Sequence, residues 1–135
     1  MSAKRILIAE DRLDHRKVMK DLLISDGYEV ILAENSLEAE EILHNDPTIE
    51  LIILDFAMLP VNGVQLLKKI RSFIPLKHHW QTPVIFVTAY PENEQLVEIK
   101  RKKIPVLSKP FRHYQDFLDT VKAQLANKSS RRGGG

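Results

Sequence analysis

Apolar residues gather in five short runs: Ile6–Ala9, Glu29–Leu32, Leu51–Leu54, Val84–Val87 and Ile104–Leu107. Three of these runs are almost continuously apolar and rich in β-branched side chains. Strands buried on both faces of a parallel sheet read this way, because neither face needs polar residues. The intervening segments carry apolar residues at helical spacing. His15 to Ser25 holds Val18, Met19, Leu22 and Leu23 and stops at Gly27. Asn35 precedes Leu37, Ala39, Ile42 and Leu43, with Glu38 in the capping-box position. Asn62 precedes Val64, Leu67 and Ile70, with Gln65 in the same relation. Pro91 suits the first turn of a helix bearing Leu96, Val97 and Ile99. Tyr114, Phe117, Leu118, Val121 and Leu125 form the last apolar stripe.

Strand and helix therefore alternate five times. Parallel strands need crossovers of this length, and such crossovers are right-handed. The expected fold is α/β, a doubly wound, flavodoxin-like five-stranded parallel sheet in the order 2-1-3-4-5. Its second strand would lie at an edge. The 135-residue length suits one domain, expected over residues 1–128. The stretch 129–135, ending Arg131-Arg132-Gly-Gly-Gly, reads as a flexible tail or a cloning remnant.

Composition narrows the function. With no cysteine, disulfides and thiolate metal sites are excluded, and a cytoplasmic location fits. No signal-peptide pattern opens the chain, and no apolar stretch approaches the ~20 residues of a membrane span. Twenty basic residues against 18 acidic ones leave a net charge of +2, so nothing global points to nucleic acid. Locally, Lys100-Arg101-Lys102-Lys103 reads first as a solvated helix end, second as a docking surface for an acidic partner, and last as a nucleic-acid contact, which no aromatic interleaving or recognition-helix motif supports. His78, His79 and Trp80 sit together in a loop. Neighbouring histidines point in different directions, so a metal site is not expected, and Trp80 reads as a loop anchor.

In doubly wound sheets, ligands bind beyond the carboxyl ends of the strands. The polar residues that follow the apolar runs there are Glu10 and Asp11, then Asp55, then Thr88, then Ser108 and Lys109. Three crowded carboxylates repel one another, and a hard divalent cation such as Mg²⁺ relieves that repulsion. A cation, an ammonium and a hydroxyl together suit a phosphoryl group. Asp55, on the central strand, is the best-placed nucleophile. Each residue also has a plain reading: Asp11 as a helix cap, Thr88 as a strand residue, Lys109 as a loop lysine. The coincidence at matching strand ends favours the functional one.

The segments Ile-Leu-Ile-Ala-Glu10-Asp11, Leu-Ile-Ile-Leu-Asp55, Phe-Val-Thr88-Ala89 and Leu-Ser-Lys109-Pro110-Phe111 resemble the receiver domain of two-component response regulators. The resemblance spans residues 4–126. It implies that Asp55 is the phosphoacceptor, that Thr88 and Lys109 bind the phosphoryl group, and that the backbone N–H groups of Phe56, Ala57 and Ala89 add donors. It implies Mg²⁺ held by Asp11, Asp55 and the Ala57 carbonyl, with Glu10 acting through water. It also implies a cis Lys109–Pro110 bond, and Gly63 matches a family glycine. The implied partners are a sensor histidine kinase or histidine phosphotransfer protein, and a downstream protein. A phosphorylation-dependent dimer is possible in such families; no nucleic acid or membrane is implied for this domain. The only catalysis implied is on the domain itself.

Three positions depart from the family pattern. Leu59 stands where proline is usual, with Pro60 after it, so a local backbone change is expected. Val106 replaces the usual aromatic switch. Lys102-Lys103-Ile104-Pro105 replaces the usual small-residue turn. Rival readings are weaker. A phosphatase of the haloacid dehalogenase type needs a second Asp where Ala57 stands. A flavin or nucleotide site needs a glycine-rich loop where Glu10-Asp11-Arg12-Leu13 stands. A receiver-like binding module that no longer needs phosphorylation is the remaining alternative.

Overall fold

A computed structural model describes residues 3–72 and 77–134, with side chains as far as residue 127 except that of Lys77. The strands are β1 (Arg5–Ala9), β2 (Glu29–Ala33), β3 (Leu51–Asp55), β4 (Val84–Thr88) and β5 (Val106–Ser108). The helices are α1 (Leu13–Ser25), α2 (Ser36–Asn45), α3 (Gly63–Arg71), α4 (Gln95–Arg101) and α5 (Tyr114–Gly134), and a short 3₁₀ turn spans Lys77–His79. All pairings are parallel, in the order β2-β1-β3-β4-β5.

Alternation along the strands divides the core into two layers. Leu7, Ala9, Ile52, Leu54 and Phe86 face one side, with Leu43, Leu66, Leu67 and Ile99 from α2, α3 and α4. Ile6, Ile8, Leu51, Ile53, Ile85 and Val87 face the other, with Met19 and Leu23 of α1 and Phe117 and Val121 of α5. Every residue of β3 and β4 is buried, as their unbroken apolar runs require.

Several elements differ from expectation at their ends. α4 begins at Gln95, not near Pro91, which stays in the preceding turn while the Asn93 side chain accepts from the Gln95 N–H. β5 starts at Val106: Lys103 takes a left-handed turn (φ 62°), and the Pro105 carbonyl still accepts from Phe86 N–H. Tyr114 lies outside the stripe that α5 buries, and Val18 stays outside the one that α1 buries. α5 is drawn through Gly134; side chains beyond residue 127 and Gly135 lie outside the described residues.

The loop before β4 is held by a histidine and not by its tryptophan neighbour. Trp80, expected as a loop anchor, is 57% exposed, whereas His79 is fully buried. Its Nδ1 lies 2.9 Å from Thr82 Oγ1 and its Nε2 2.8 Å from the Asp46 carbonyl. A carbonyl can only accept, so Nε2 donates to it; in the neutral ring Nδ1 then accepts from the threonine hydroxyl. Among the described residues, no helix is long and apolar enough to cross a membrane.

Candidate phosphoryl and metal site

The carboxyl ends of β1, β3, β4 and β5 lie side by side, so the chain brings Glu10, Asp11, Asp55, Thr88 and Lys109 to one edge of the sheet. One carboxylate oxygen from each of Glu10, Asp11 and Asp55 lies within 4.8 Å of the other two. Glu10 and Asp55 are buried and Asp11 is exposed. Asp11 does not cap α1: the cap position is Arg12, which makes no side-chain cap bond.

Lys109 crosses the site. Its Nζ donates to both Glu10 oxygens at 2.9 Å and lies 3.6 Å from Asp55 Oδ2. It also sits 2.9 Å from His15 Nδ1. An ammonium can only donate, so this imidazole nitrogen accepts. The Lys109–Pro110 bond is cis, as expected, and so is Leu59–Pro60 in the loop where a backbone change is expected. That loop is fastened by buried Ser36, whose N–H donates to the Leu59 carbonyl and whose Oγ accepts from Val61 N–H.

Burial pushes the Asp55 carboxyl up to about 7; the Glu10 charge adds to the rise and Lys109 opposes it. Ala57 N–H donates to Asp55 Oδ1 at 3.3 Å. Phe56 N–H does not point at the carboxylate; it continues the sheet by donating to the Val87 carbonyl at 3.3 Å. Buried Thr88 accepts from Tyr90 N–H at 2.8 Å, which leaves its own hydroxyl proton to donate. Gly63 meets the site from behind. A Cβ there would lie 2.5 Å from the Asp55 carbonyl and 2.9 Å from the Phe86 ring.

Sequence reasoning missed two supports. His15 contacts Lys109 across 94 positions. Arg16, buried in α1, donates to the Glu10 carbonyl at 2.9 Å and reaches Glu34 at 3.4 Å. A basic residue one helical turn after an acidic strand end is the available signal for Arg16; none links His15 to Lys109.

Three carboxylates against one ammonium leave the cluster two negative charges in excess when all are ionised. Such an all-oxygen donor set, with one exposed member, suits a divalent cation that keeps part of its water shell. Glu10, Asp11 and Asp55 offer such a set.

Residues 6–122 match the sequence profile of the response regulator receiver domain. The chain is 30% identical over 125 residues to the polar-differentiation response regulator DivK of Brucella anthropi, covering 92% of this chain and 98% of that one. It is 33% identical over 121 residues to the transcriptional regulatory protein ZraR of Klebsiella oxytoca, of which it spans 24% while 89% of this chain is matched. Among solved structures, the receiver domain of the hybrid histidine kinase CckA is 34% identical, with a TM-score of 0.72, covering 90% of this chain and 98% of that one. A CheY-like receiver protein from Methanospirillum hungatei has a TM-score of 0.82 at 26% identity, covering 96% and 99%. With the profile matched over most of its length, and the acidic pair, Asp55, Thr88 and Lys109 gathered at one edge of the family's fold, the chain belongs to the response regulator receiver domains of two-component systems.

Proposed function

We propose that Asp55 accepts a phosphoryl group from a phosphohistidine on a sensor histidine kinase or a histidine phosphotransfer protein. One observation carries this reading. Asp55 ends the central strand buried, 3.6 Å from Lys109, inside a cluster of three carboxylates that a divalent cation would balance. An ionised Asp55 oxygen attacks phosphorus, the P–N bond breaks, and the donor imidazole departs with the bonding pair. Lys109 leaves Glu10 for a phosphoryl oxygen, and the Thr88 hydroxyl donates to another. The Ala57 and Ala89 amides supply further donors; Phe56 N–H, bonded to Val87, is not among them in this arrangement. Bound Mg²⁺ supplies charge neutralisation for the phosphoryl oxygens.

The domain acts on no substrate but itself, in the cytoplasm, and its phosphorylated state controls a downstream protein contact or a dimer. Val106 is too small to act as a rotating aromatic switch, so the signal passes through the Thr88 loop and α4 by another repacking. Incubation with Mg²⁺ and acetyl phosphate, followed by intact mass, tests the reading. One added phosphoryl group, absent in Asp55→Asn, supports it. No gain with acetyl phosphate or a phosphohistidine donor favours a binding module that needs no phosphorylation.

A further inference from the structure

Between α3 and α4 runs an open groove of about 310 Å³, of the size that takes a few aliphatic side chains. Its floor is apolar: Val64 and Leu67 from α3, Ile99 from α4 and Ile104 beyond it. Its rim is basic. Lys68 lines the α3 side and Lys102 the far end of α4, while the Arg71 guanidinium beside Lys68 donates to the His79 carbonyl at 2.9 Å. The one rim carboxylate, Glu98, is paired with Arg101 at 3.5 Å. Of the basic run that closes α4, Lys102 is the member that faces this groove; the Lys100 ammonium is turned back to the Pro91 carbonyl at 2.6 Å.

An apolar trough edged by cations on both sides is complementary to an amphipathic helix with leucine-type anchors and acidic flanks. We propose that the α3–α4 groove is a docking site for such an acidic amphipathic helix of a partner protein. The groove stands apart from Asp55 and its carboxylate cluster, none of which lines it, and so its occupancy does not depend on phosphorylation being correct. Anchors at i, i+3 or i+4, and i+7 enter the trough, while glutamates beside them face Lys68 and Lys102.

The test is a titration of the ¹⁵N-labelled chain with a capped peptide carrying leucines at those spacings and glutamates on either side. Expected are saturable shifts at Leu67, Lys68, Ile99 and Lys102 amides, weakening as salt rises. Lys68→Glu with Lys102→Glu, both exposed and away from the core, should lower affinity about tenfold while other amides keep their positions. A matched peptide with lysine in place of glutamate should not bind. Three results overturn the proposal: no shifts in the groove, equal binding of the lysine peptide, or unchanged affinity in the double variant. Shifts produced by phosphatidylglycerol vesicles but not by the glutamate peptide also overturn it, and assign the groove to an anionic membrane surface.

Discussion

Lys109 is bound more closely to Glu10 than to Asp55: its Nζ is 2.9 Å from both Glu10 oxygens and 3.6 Å from Asp55 Oδ2. Both partners of the closer pair are almost wholly buried. As a buried ion pair it ties the chain after β1 to the chain after β5, and so it serves the fold.

Breaking it from one side leaves a buried carboxylate without its counter-charge. Lys109→Met should destabilise the domain by about 3 kcal/mol in urea unfolding at neutral pH with a chelator present. Glu10→Gln with Lys109→Met should cost less than the two single changes added together. Additive costs would show that the two side chains do not interact in solution.

Asp55 makes stability depend on pH in a defined direction. Its carboxyl is raised to about 7 in the fold, against about 3.9 in an unfolded chain. Between those values the folded state holds the extra proton, so the Asp55 contribution to stability falls as pH rises and is lost above about 7. Asp55→Asn removes that fall. In chelator, the variant should match the wild type near pH 4 and exceed it by a few kcal/mol above pH 7, to order of magnitude. A difference that is the same at both ends contradicts the assignment.

Gly63 is fixed by proximity and not by an unusual backbone angle. A methyl group there meets the Asp55 carbonyl at 2.5 Å, and backbone cannot yield as a flexible side chain does. Gly63→Ala should cost about 1–3 kcal/mol by thermal or urea unfolding. It should also slow phosphorylation, because the strand end that aims Asp55 must move. An alanine variant as stable and as reactive as the wild type contradicts the close approach.

Ala57 presents only a methyl group two residues after Asp55, so it cannot orient a water for attack on an acyl phosphate formed there. Phosphorylated wild type should lose its phosphoryl group more slowly than Ala57→Asn, whose amide can hold that water. Autodephosphorylation followed by intact mass decides this; faster decay in the wild type refutes it.

The strand order and the site edge were legible because the apolar runs mark buried strands and the chain order places their ends together. β1 to β4 begin and end within a residue of the runs that announce them. β5 and α4 were not legible to that degree. Ile104 is apolar but lies in the turn that Lys103 opens, and Pro91 is compatible with either a helix start or the turn before one. Apolarity also misled at Trp80, which is exposed, while polar His79 takes the buried anchoring role through Thr82 and Asp46. The side chains that set the resting site, His15 on Lys109 and Arg16 on the Glu10 carbonyl, depend on how α1 packs over the strand ends. No local pattern encodes that packing.

The central claim is that Asp55, and not a neighbouring carboxylate, takes the phosphoryl group. Borohydride trapping tests it most directly, because an aspartyl phosphate is reduced to homoserine at the residue that carried it. After treatment with Mg²⁺ and acetyl phosphate, reduction and peptide mass mapping should place homoserine at position 55 alone. Reduction at Asp11 or Glu10, or at no position in protein that has gained a phosphoryl group, would contradict the account.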